Sequence, residues 1–369
     1  MSEADARWMR LALSLGARGQ GRVWPNPAVG CVLVKDNHVI GRGWTQPGGR
    51  PHAEVIALSQ AAQAARGATA YVSLEPCAHY GQTPPCAEAL VAAGVARVVI
   101  ALRDPDPRVD GGGMAMLRAA GIEVVEGVCE AEARVAHAGF LNRVTQGRPT
   151  LNLKLASSVD GRIATATGES QWITGPQARR QVHAMRARHD AVLIGAGTAR
   201  ADDPSLTVRG LGMAHQPARI VVSRRLDLPD NSALMRTARD VPVWLCHGAD
   251  APEAAKARWR DAGAEVIAVA SGPGGQLDLT QVMQSLGARG LTRVFCEGGG
   301  ALAAGLLAAD LVDDLVVFGA GLVIGAEGTP GVGAMGIAAL EEAPRFALRA
   351  QQLVGGDVMQ VWARRGTDS

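Results

Sequence analysis

Short apolar runs rich in β-branched residues alternate with longer alanine-rich stretches along most of the chain. In the first part, the runs AVGCVLV, TAYVSL, ARVVIAL and IEVVEG have the length and composition of buried strands. The stretches between them space their apolar residues as amphipathic helices do. Strands that alternate with helices predict an α/β fold with a largely parallel sheet.

The pattern also predicts a domain boundary. A helical stretch ends near Val144, the polar segment TQGRP interrupts it, and TLNLKLASS begins a new strand. Beyond it the alternation resumes, with strands expected at HDAVLIG, ARIVVS, VPVWLC, AEVIAVA, TRVFCEGGG and DDLVVFG. A chain of 369 residues is long enough for two cores. We therefore predict two domains, residues 1–147 and 148–369.

Composition and charge exclude several classes of protein. The N-terminal stretch SEADARWMRLALSLG has charges between its apolar residues, which favours an amphipathic helix over a signal peptide. The longest apolar run covers 12 residues, short of the ~20 that a spanning helix needs. We therefore expect a soluble, cytoplasmic protein with no membrane partner. With 37 basic and 35 acidic residues interspersed, and 4% aromatics, a long nucleic acid is not an expected partner.

Ionisable residues in the first half form a pattern typical of a metal site. His52 and Glu54 stand at the start of a helical stretch, and Cys77 and Cys86 lie on either side of a loop that contains Gly and Pro. One imidazole and two thiolates are ligands that zinc favours. Three protein ligands leave the fourth tetrahedral position for water, as in a catalytic zinc site. Glu54 can then take and deliver protons without binding the metal.

Two other interpretations of these residues remain open. His52 and Glu54 alone could be a helix cap and a solvated glutamate. A structural zinc would need a fourth ligand, for which His79 and Cys31 are the candidates. Because Cys86 follows Pro85 at an expected helix start, we also expect the helix dipole to stabilise thiolate charge there.

The HxE and cysteine motifs are similar to the HxE and PCxxC signature of zinc deaminases, with eight residues between the cysteines instead of two. The longer loop EPCAHYGQTPPC, together with PNPAVGCVLVKD and PHAEV, resembles the RibD family of bifunctional deaminase-reductases that make the riboflavin precursor. The resemblance extends over nearly the whole chain. It implies a cytidine-deaminase-like α/β/α domain followed by a dihydrofolate-reductase-like α/β domain. It also implies that Asn26 contacts a pyrimidine ring.

In the second half, the resemblance implies a reductase site that binds NADPH and a ribose phosphate. The glycines of RVFCEGGGALAAGLL end a strand and open a helix, so their N–H groups could cradle a pyrophosphate. The residues implied to contact the cofactor are Ala156, Trp172, Thr198, Asp202, Gly299, Gly300, Ala301, Leu302, Ala303, Ala304 and Gly305. Those implied to hold the substrate are Ser170, Arg186, Leu206, Arg209 and Glu297. The two arginines suit a phosphate, although a solvated helix face or loop is the alternative.

The chain departs from the family pattern at several positions. The family has Asp-Ser where this chain has Ser223 and Arg224, so either residue could contact the 2′-phosphate of NADPH, next to Arg225. The cysteine loop has Ala78 and Gln82 in place of the usual Ser and Arg, and Gly112 replaces a common basic residue. We expect zinc binding to persist and the phosphate contacts to be redistributed.

The implied function is two reactions of riboflavin biosynthesis. The first is zinc-dependent deamination of 2,5-diamino-6-(5-phosphoribosylamino)pyrimidin-4-one, and the second is NADPH-dependent reduction of the ribosyl group of 5-amino-6-(5-phosphoribosylamino)uracil. We expect small-molecule phosphoribosylaminopyrimidine substrates and a homo-oligomer of undetermined order. The alternatives are a zinc deaminase that acts on a nucleic acid with an accessory second domain, and a nonenzymatic binding protein stabilised by zinc.

Overall fold

The computed structural model describes residues 2–81 and 83–365, so Gln82 lies outside the described residues. The chain divides into two compact units between Arg148 and Pro149. This division falls one residue after the boundary expected from the sequence. Each unit has its own sheet and its own apolar core.

The N-terminal unit contains a five-stranded sheet in the order β2-β1-β3-β4-β5. Its strands are β1 (Gly30–Lys35), β2 (His38–Trp44), β3 (Thr69–Val72), β4 (Arg97–Ile100) and β5 (Glu123–Val125). Its helices are α1 (Glu3–Gly16), α2 (Ala53–Ala61), α3 (Cys86–Ala92), α4 (Gly112–Ala119) and α5 (Glu130–Gln146). β1 is antiparallel to both β2 and β3, whereas β3, β4 and β5 are parallel.

Helix α2 packs unusually closely against strand β2. A Cβ atom on Gly43 would lie 2.1 Å from the carbonyl oxygen of Ala53, and one on Gly41 would lie 2.3 Å from that of Ala57. No larger residue fits at either glycine without moving the helix, because real Cβ contacts essentially never fall below 3.0 Å. The two glycines therefore determine the position of α2 relative to the sheet.

A buried ion pair joins α1 to the sheet. The guanidinium of Arg97 on β4 donates to both carboxylate oxygens of Asp5, at 2.8 and 3.1 Å, and the Tyr71 hydroxyl donates to Asp5 at 2.9 Å. The Asp5 side chain is only 9% exposed. The Arg97 guanidinium is the main cause of the low pKa of Asp5, about 2.

The C-terminal unit contains a nine-stranded sheet in the order β11-β10-β9-β8-β12-β6-β13-β16-β15, and β7 pairs with β14. Its first strands are β6 (Thr150–Ser158), β7 (Arg162–Ala164), β8 (Ala191–Gly195), β9 (Ala218–Val222), β10 (Val243–His247) and β11 (Glu265–Ala268). The others are β12 (Arg293–Cys296), β13 (Asp314–Ala320), β14 (Thr329–Pro330), β15 (Phe346–Val354) and β16 (Asp357–Arg364). The helices are α6 (Pro176–Arg186), α7 (Ala196–Asp202), α8 (Ala233–Arg236), α9 (Glu253–Asp261), α10 (Leu279–Ala288) and α11 (Gly300–Ala308).

The expected α/β fold with two domains is confirmed, but only the large sheet is mainly parallel, whereas the sheet of the N-terminal unit is mixed. From β11 to β13 every neighbouring pair in the large sheet is parallel, and only the β16 and β15 hairpin at one edge runs antiparallel. The sequence analysis missed β2, β7, β14 and this hairpin. Two glycines interrupt the apolar pattern of β2, and polar residues interrupt that of the hairpin strands. Among the described residues, no helix is both long and apolar enough to cross a bilayer.

The ion pair between Asp5 and Arg97 predicts that the N-terminal unit loses stability in acid. Because the pKa of Asp5 is about 2 in the folded chain, compared with about 3.9 when unfolded, its contribution is complete above pH 4 and disappears as the pH falls towards 2. At pH 7, Asp5→Asn should lower the free energy of unfolding by about 2 kcal/mol.

Hydrogen exchange of α1 and β4 amides, compared between the wild-type chain and Asp5→Asn from pH 7 to pH 2.5, measures this effect locally. Glu132→Gln, which alters an exposed ion pair with Arg10, is the control. The difference in protection between the Asp5 variant and the wild type should shrink as the pH falls. If it stays constant across this range, the ion pair between Asp5 and Arg97 is not the cause of the acid sensitivity.

Candidate active sites

The structure brings His52, Cys77 and Cys86 together in the N-terminal unit. His52 immediately precedes α2, Cys77 lies in the loop after β3, and Cys86 begins α3. The Nδ1 atom of His52 lies 3.3 Å from Cys86 Sγ and 3.7 Å from Cys77 Sγ. Tetrahedral zinc with ordinary bond lengths separates a nitrogen and a sulfur ligand by about 3.6 Å. The three side chains therefore fit a zinc ion.

The carboxylate of Glu75, just before Pro76 and Cys77, anchors the cysteine loop. It is buried and accepts backbone hydrogen bonds of 3.0 to 3.3 Å from Asp104, Gly111, Gly113 and Met114. Two of these donors belong to the first turn of α4, so the carboxylate also caps that helix. A Cβ on Gly113 would lie 2.0 Å from the Pro76 carbonyl oxygen, so this contact requires glycine. Cys77 is thereby held against α4.

Glu54 lies in the first turn of α2, beside the three side chains that fit a zinc ion. Only 3% of the residue is exposed. Burial raises the pKa of Glu54 to about 7, and the negative charge of Cys77 adds to this effect. A solvated glutamate is therefore ruled out, and the carboxyl group can change its protonation state near neutral pH.

The start of helix α3 donates a backbone hydrogen bond to Cys77, in addition to carrying Cys86, the residue at which the sequence predicted the effect of the helix. The backbone N–H of Cys86 donates to Cys77 Sγ at 3.3 Å. A hydrogen bond from the Cys86 thiol, followed by one from His52, lowers the pKa of Cys77 to about 4. The same bond to Cys77 raises the pKa of Cys86. The N–H group at the start of α3 therefore stabilises a thiolate at the other end of the cysteine loop, because this loop folds back onto the helix.

The two candidate fourth ligands lie outside this cluster. Within residues 2–81 and 83–365, His52, Cys77 and Cys86 are the only group of three or more potential ligands that could hold a metal. Cys31 is buried in β1, and burial raises the pKa of its thiol well above the usual value. His79 has its Nδ1 buried with no hydrogen-bond partner among the described residues. The geometry therefore favours three protein ligands.

Asn26 lies in the turn before β1. Its Nδ2 donates to the Gly49 carbonyl oxygen at 2.8 Å, and a Cβ on Gly49 would collide with this amide. The amide is therefore held in one orientation by the segment that leads into His52.

The C-terminal unit contains a cleft of about 1450 Å³. Most of the residues expected to bind cofactor or substrate line it. They are Ala156, Ser170, Trp172, Arg186, Thr198, Asp202, Leu206, Arg209, Arg224, Glu297, Gly299, Gly300, Ala301, Leu302 and Gly305.

Ser223, Ala303 and Ala304 do not line this cleft, contrary to the expectation. The two alanines are on the face of α11 that packs into the core. Ser223 is buried, and its hydroxyl donates to Asp227 at 3.3 Å. Their side chains are therefore not exposed to a ligand in the cleft.

A buried network of charges forms one wall of the cleft. Arg186 donates to both carboxylate oxygens of Glu297, at 2.5 and 3.0 Å, and to the Thr207 carbonyl oxygen at 2.9 Å. Both side chains of the ion pair are about one-tenth exposed. Arg186 is therefore neither on a solvated helix face nor available to bind a phosphate by itself.

Lys154 on β6 completes this network. Burial lowers the pKa of its ammonium group, and the charges of Glu297 and Asp202 oppose that effect. For Glu297, the charges of Arg186 and Lys154 outweigh burial and lower the pKa. Lys154 is thus a partly desolvated ammonium group at the wall of the cleft.

The glycine segment before α11 is positioned by α7. The Gly299 N–H donates to the Thr198 hydroxyl at 3.1 Å, and a Cβ on Gly300 would lie 2.7 Å from the Pro330 carbonyl oxygen. Elsewhere in the cleft, Trp172 is 67% exposed, and the Arg179 guanidinium stacks on its ring at 4.5 Å from the ring centre. The cleft therefore offers both a helix N-terminus and an aromatic face.

Arg224 and Arg225, which follow β9, make one part of the same cleft basic. Arg224 donates to the Gly275 carbonyl oxygen at 2.6 Å, and it shares the Asp250 carboxylate with Arg225 at 3.4 and 3.2 Å. Both arginines line the cleft, whereas Ser223 does not. The sequence left open whether Ser223 or Arg224 would contact an anion. The geometry favours Arg224.

Comparison with known proteins identifies the family of each unit. Residues 2–102 match the family described as the cytidine and deoxycytidylate deaminase zinc-binding region, and residues 149–359 match the RibD C-terminal domain. The riboflavin biosynthesis protein RibD of Escherichia coli is 41% identical over 96% of this chain and 98% of its own. The chain belongs to the RibD family.

Solved RibD structures share the whole fold. Acinetobacter baumannii RibD is 38% identical, covers 99% of both chains and has a TM-score of 0.88. A Thermotoga maritima protein described as a diaminohydroxyphosphoribosylaminopyrimidine deaminase and 5-amino-6-(5-phosphoribosylamino)uracil reductase is 32% identical. It covers 98% of this chain and 99% of its own, with a TM-score of 0.85.

As a RibD family member, the chain is a bifunctional deaminase-reductase of riboflavin biosynthesis. Its N-terminal domain belongs to a zinc-binding deaminase family, and its C-terminal domain is the RibD reductase domain. The likeness over both domains does not favour a nucleic-acid deaminase with an accessory domain.

Sequence reasoning missed Glu75 and gave no role to Lys154. Glu75 lies two residues before the first cysteine, which was a usable signal, but its partners are backbone groups far along the chain. Lys154 was visible on a strand, whereas its burial beside Glu297 depends on the neighbouring strands.

The three-ligand site predicts a specific pattern of zinc loss. Cys77→Ala should reduce bound zinc from about one ion per chain to a small fraction, because two protein ligands hold zinc poorly. Cys31→Ala should retain the metal, because its thiol lies outside the cluster. Elemental analysis after dialysis against a weak chelator measures both. Loss of zinc from a folded Cys31→Ala chain would restore the four-ligand interpretation.

Proposed function

We propose that the N-terminal domain deaminates 2,5-diamino-6-(5-phosphoribosylamino)pyrimidin-4-one. The C-terminal domain then reduces the ribosyl group of 5-amino-6-(5-phosphoribosylamino)uracil to ribityl. The observation that carries the proposal is the buried carboxyl group of Glu54 beside a three-ligand zinc site. The reductase half is supported by the cleft, which is lined by a glycine-rich helix start and by the half-buried Lys154.

In the deaminase domain, His52, Cys77 and Cys86 would hold zinc, and Glu54 would move the protons. Zinc, when bound, supplies a Lewis acid that makes water nucleophilic near neutral pH. Glu54 accepts a proton from the attacking water and delivers it to the departing amine, a role suited to a carboxyl group with a pKa of about 7. Asn26, whose amide is held by Gly49, orients the pyrimidine ring.

In the reductase domain, NADPH supplies a hydride when bound, and the protein positions the reactants and donates a proton. The N–H groups at the start of α11 would receive the pyrophosphate. Lys154 is placed to protonate the ribose ring oxygen as the sugar opens. Arg186 holds Glu297 towards the substrate, while the exposed Arg209 binds the phosphate.

The preference for NADPH over NADH would depend on Arg224, with Arg225 beside it. Both lie at the end of β9 and compete for one carboxylate, Asp250. A 2′-phosphate would give each guanidinium a doubly charged partner. We also propose that the protein acts in the cytoplasm as a homo-oligomer on small molecules, and not on nucleic acid, which its nearly balanced charge of 37 basic and 35 acidic residues supports.

Glu54→Gln tests the deaminase assignment. The substitution keeps the size of the side chain and removes its ability to carry a proton, so ammonia release should fall by about 10²- to 10⁴-fold. NADPH oxidation on substrate that is already deaminated should persist. Ammonia and NADPH are followed separately, with Glu132→Gln as the surface control. Unchanged ammonia release in the Glu54 variant with zinc bound would refute the assignment.

Arg224→Ser tests the cofactor assignment. Removing a guanidinium that faces the 2′-phosphate should weaken NADPH binding by about 10-fold or more, because bonds between charged groups are among the stronger ones. The affinity for NADH should stay nearly the same. Fluorescence titration with both nucleotides measures the ratio, and Arg236→Ser on α8 is the control. An equal loss for NADPH and NADH would contradict a role in 2′-phosphate recognition.

A further inference from the structure

Arg50 lies beside the zinc ligands and reaches over the cysteine loop. It precedes His52 by two residues, and its Nη1 donates to the Thr83 hydroxyl at 2.8 Å. Its Nη2 lies 3.4 Å from the point that a Cβ atom on Gly81 would occupy. The guanidinium therefore lies close to the middle of the loop between Cys77 and Cys86.

The imidazole of His79 approaches the same point. Its Nε2 lies 4.0 Å from the Cβ position of Gly81. A guanidinium, an imidazole nitrogen and the Thr83 hydroxyl therefore converge around a glycine that has no side chain to fill the space. Such a set of donors is suited to a phosphate or another compact anion.

The charge of Arg50 is available for a ligand. Among the described residues, no carboxylate lies within ion-pair distance of its guanidinium, and its recorded partner is a neutral hydroxyl. The nearby acidic group that faces His79 is Asp106, which Arg108 neutralises through two hydrogen bonds of 2.9 and 2.5 Å. An anion at Gly81 would therefore meet a cation that no described carboxylate pairs, and the carboxylate of Glu88, next to this loop, accepts from the Tyr80 hydroxyl at 2.6 and 2.7 Å.

The loop has no strong cation of its own. The residues between Cys77 and Cys86, AHYGQTPP, include no lysine or arginine. Resting on the proposed function, we propose that Arg50, with His79 and Thr83, binds the phosphate of the deaminase substrate. Arg50 then determines the preference for a phosphorylated over an unphosphorylated ribosylaminopyrimidine, since its planar fork can bind two phosphate oxygens at once.

Arg50→Ala tests this role with two substrates, the phosphoribosylaminopyrimidine and the same compound without its phosphate. For the phosphorylated substrate, kcat/KM of ammonia release should fall by about 10- to 100-fold, mainly through KM. For the unphosphorylated substrate, kcat/KM should change by less than about twofold. Arg50→Lys keeps the charge without the fork, so it should restore only part of the loss.

Arg42→Ala, an exposed arginine on β2, is the matched control. The reductase rate on deaminated substrate and the zinc content report whether the Arg50 variant remains intact. An equal loss of kcat/KM for both substrates would overturn the inference and show that Arg50 only supports the loop. An unchanged kcat/KM for both substrates would overturn it as well. If the wild-type chain with zinc bound releases no ammonia from the phosphorylated substrate, the proposed function itself fails, and the inference with it.

Discussion

The zinc site depends on how closely α2 lies against β2. The backbone carbonyl groups of Ala53 and Ala57 occupy the space that side chains at Gly43 and Gly41 would fill. His52 and Glu54 belong to the start of the same helix, so this contact determines where the imidazole and the carboxyl group meet the cysteine loop. A shift of even one ångström in α2 would separate ligands that are now 3.3 and 3.7 Å apart.

Burial explains much of the electrostatics of both sites. Burial disfavours the charged form of any group, so it raises the pKa of the Glu54 carboxyl group and lowers that of the Lys154 ammonium group. Both shifts bring proton exchange closer to neutral pH, which is what a proton donor or acceptor in catalysis requires. Glu297 behaves differently, because Arg186 and Lys154 compensate for its burial and keep it ionised.

Arginine side chains supply the proposed anion contacts in both domains. After β9, Arg224 lines the cleft and is ion-paired with Asp250, while Ser223 faces the interior. In the deaminase domain, the loop residue Gln82 has no charge, and Arg50 reaches the loop from the segment before α2. In the deaminase domain the proposed anion contact therefore comes from a different segment of the chain, because a long arginine side chain can reach the same point from several places.

The sequence by itself determined the α/β class, the two domains and the identity of the residues that could bind zinc. These follow from local periodicity and from a small set of chemically distinctive side chains, His52, Glu54, Cys77 and Cys86. Strand β2 was not predicted, since Gly41 and Gly43 weaken its pattern and only their contact with α2 explains them. Tertiary structure decided that the start of α3 acts on Cys77, that Arg186 is bound to Glu297, and that Ser223, Ala303 and Ala304 face inward. Each of these depends on groups distant in sequence, whose distances are determined only when the chain is packed.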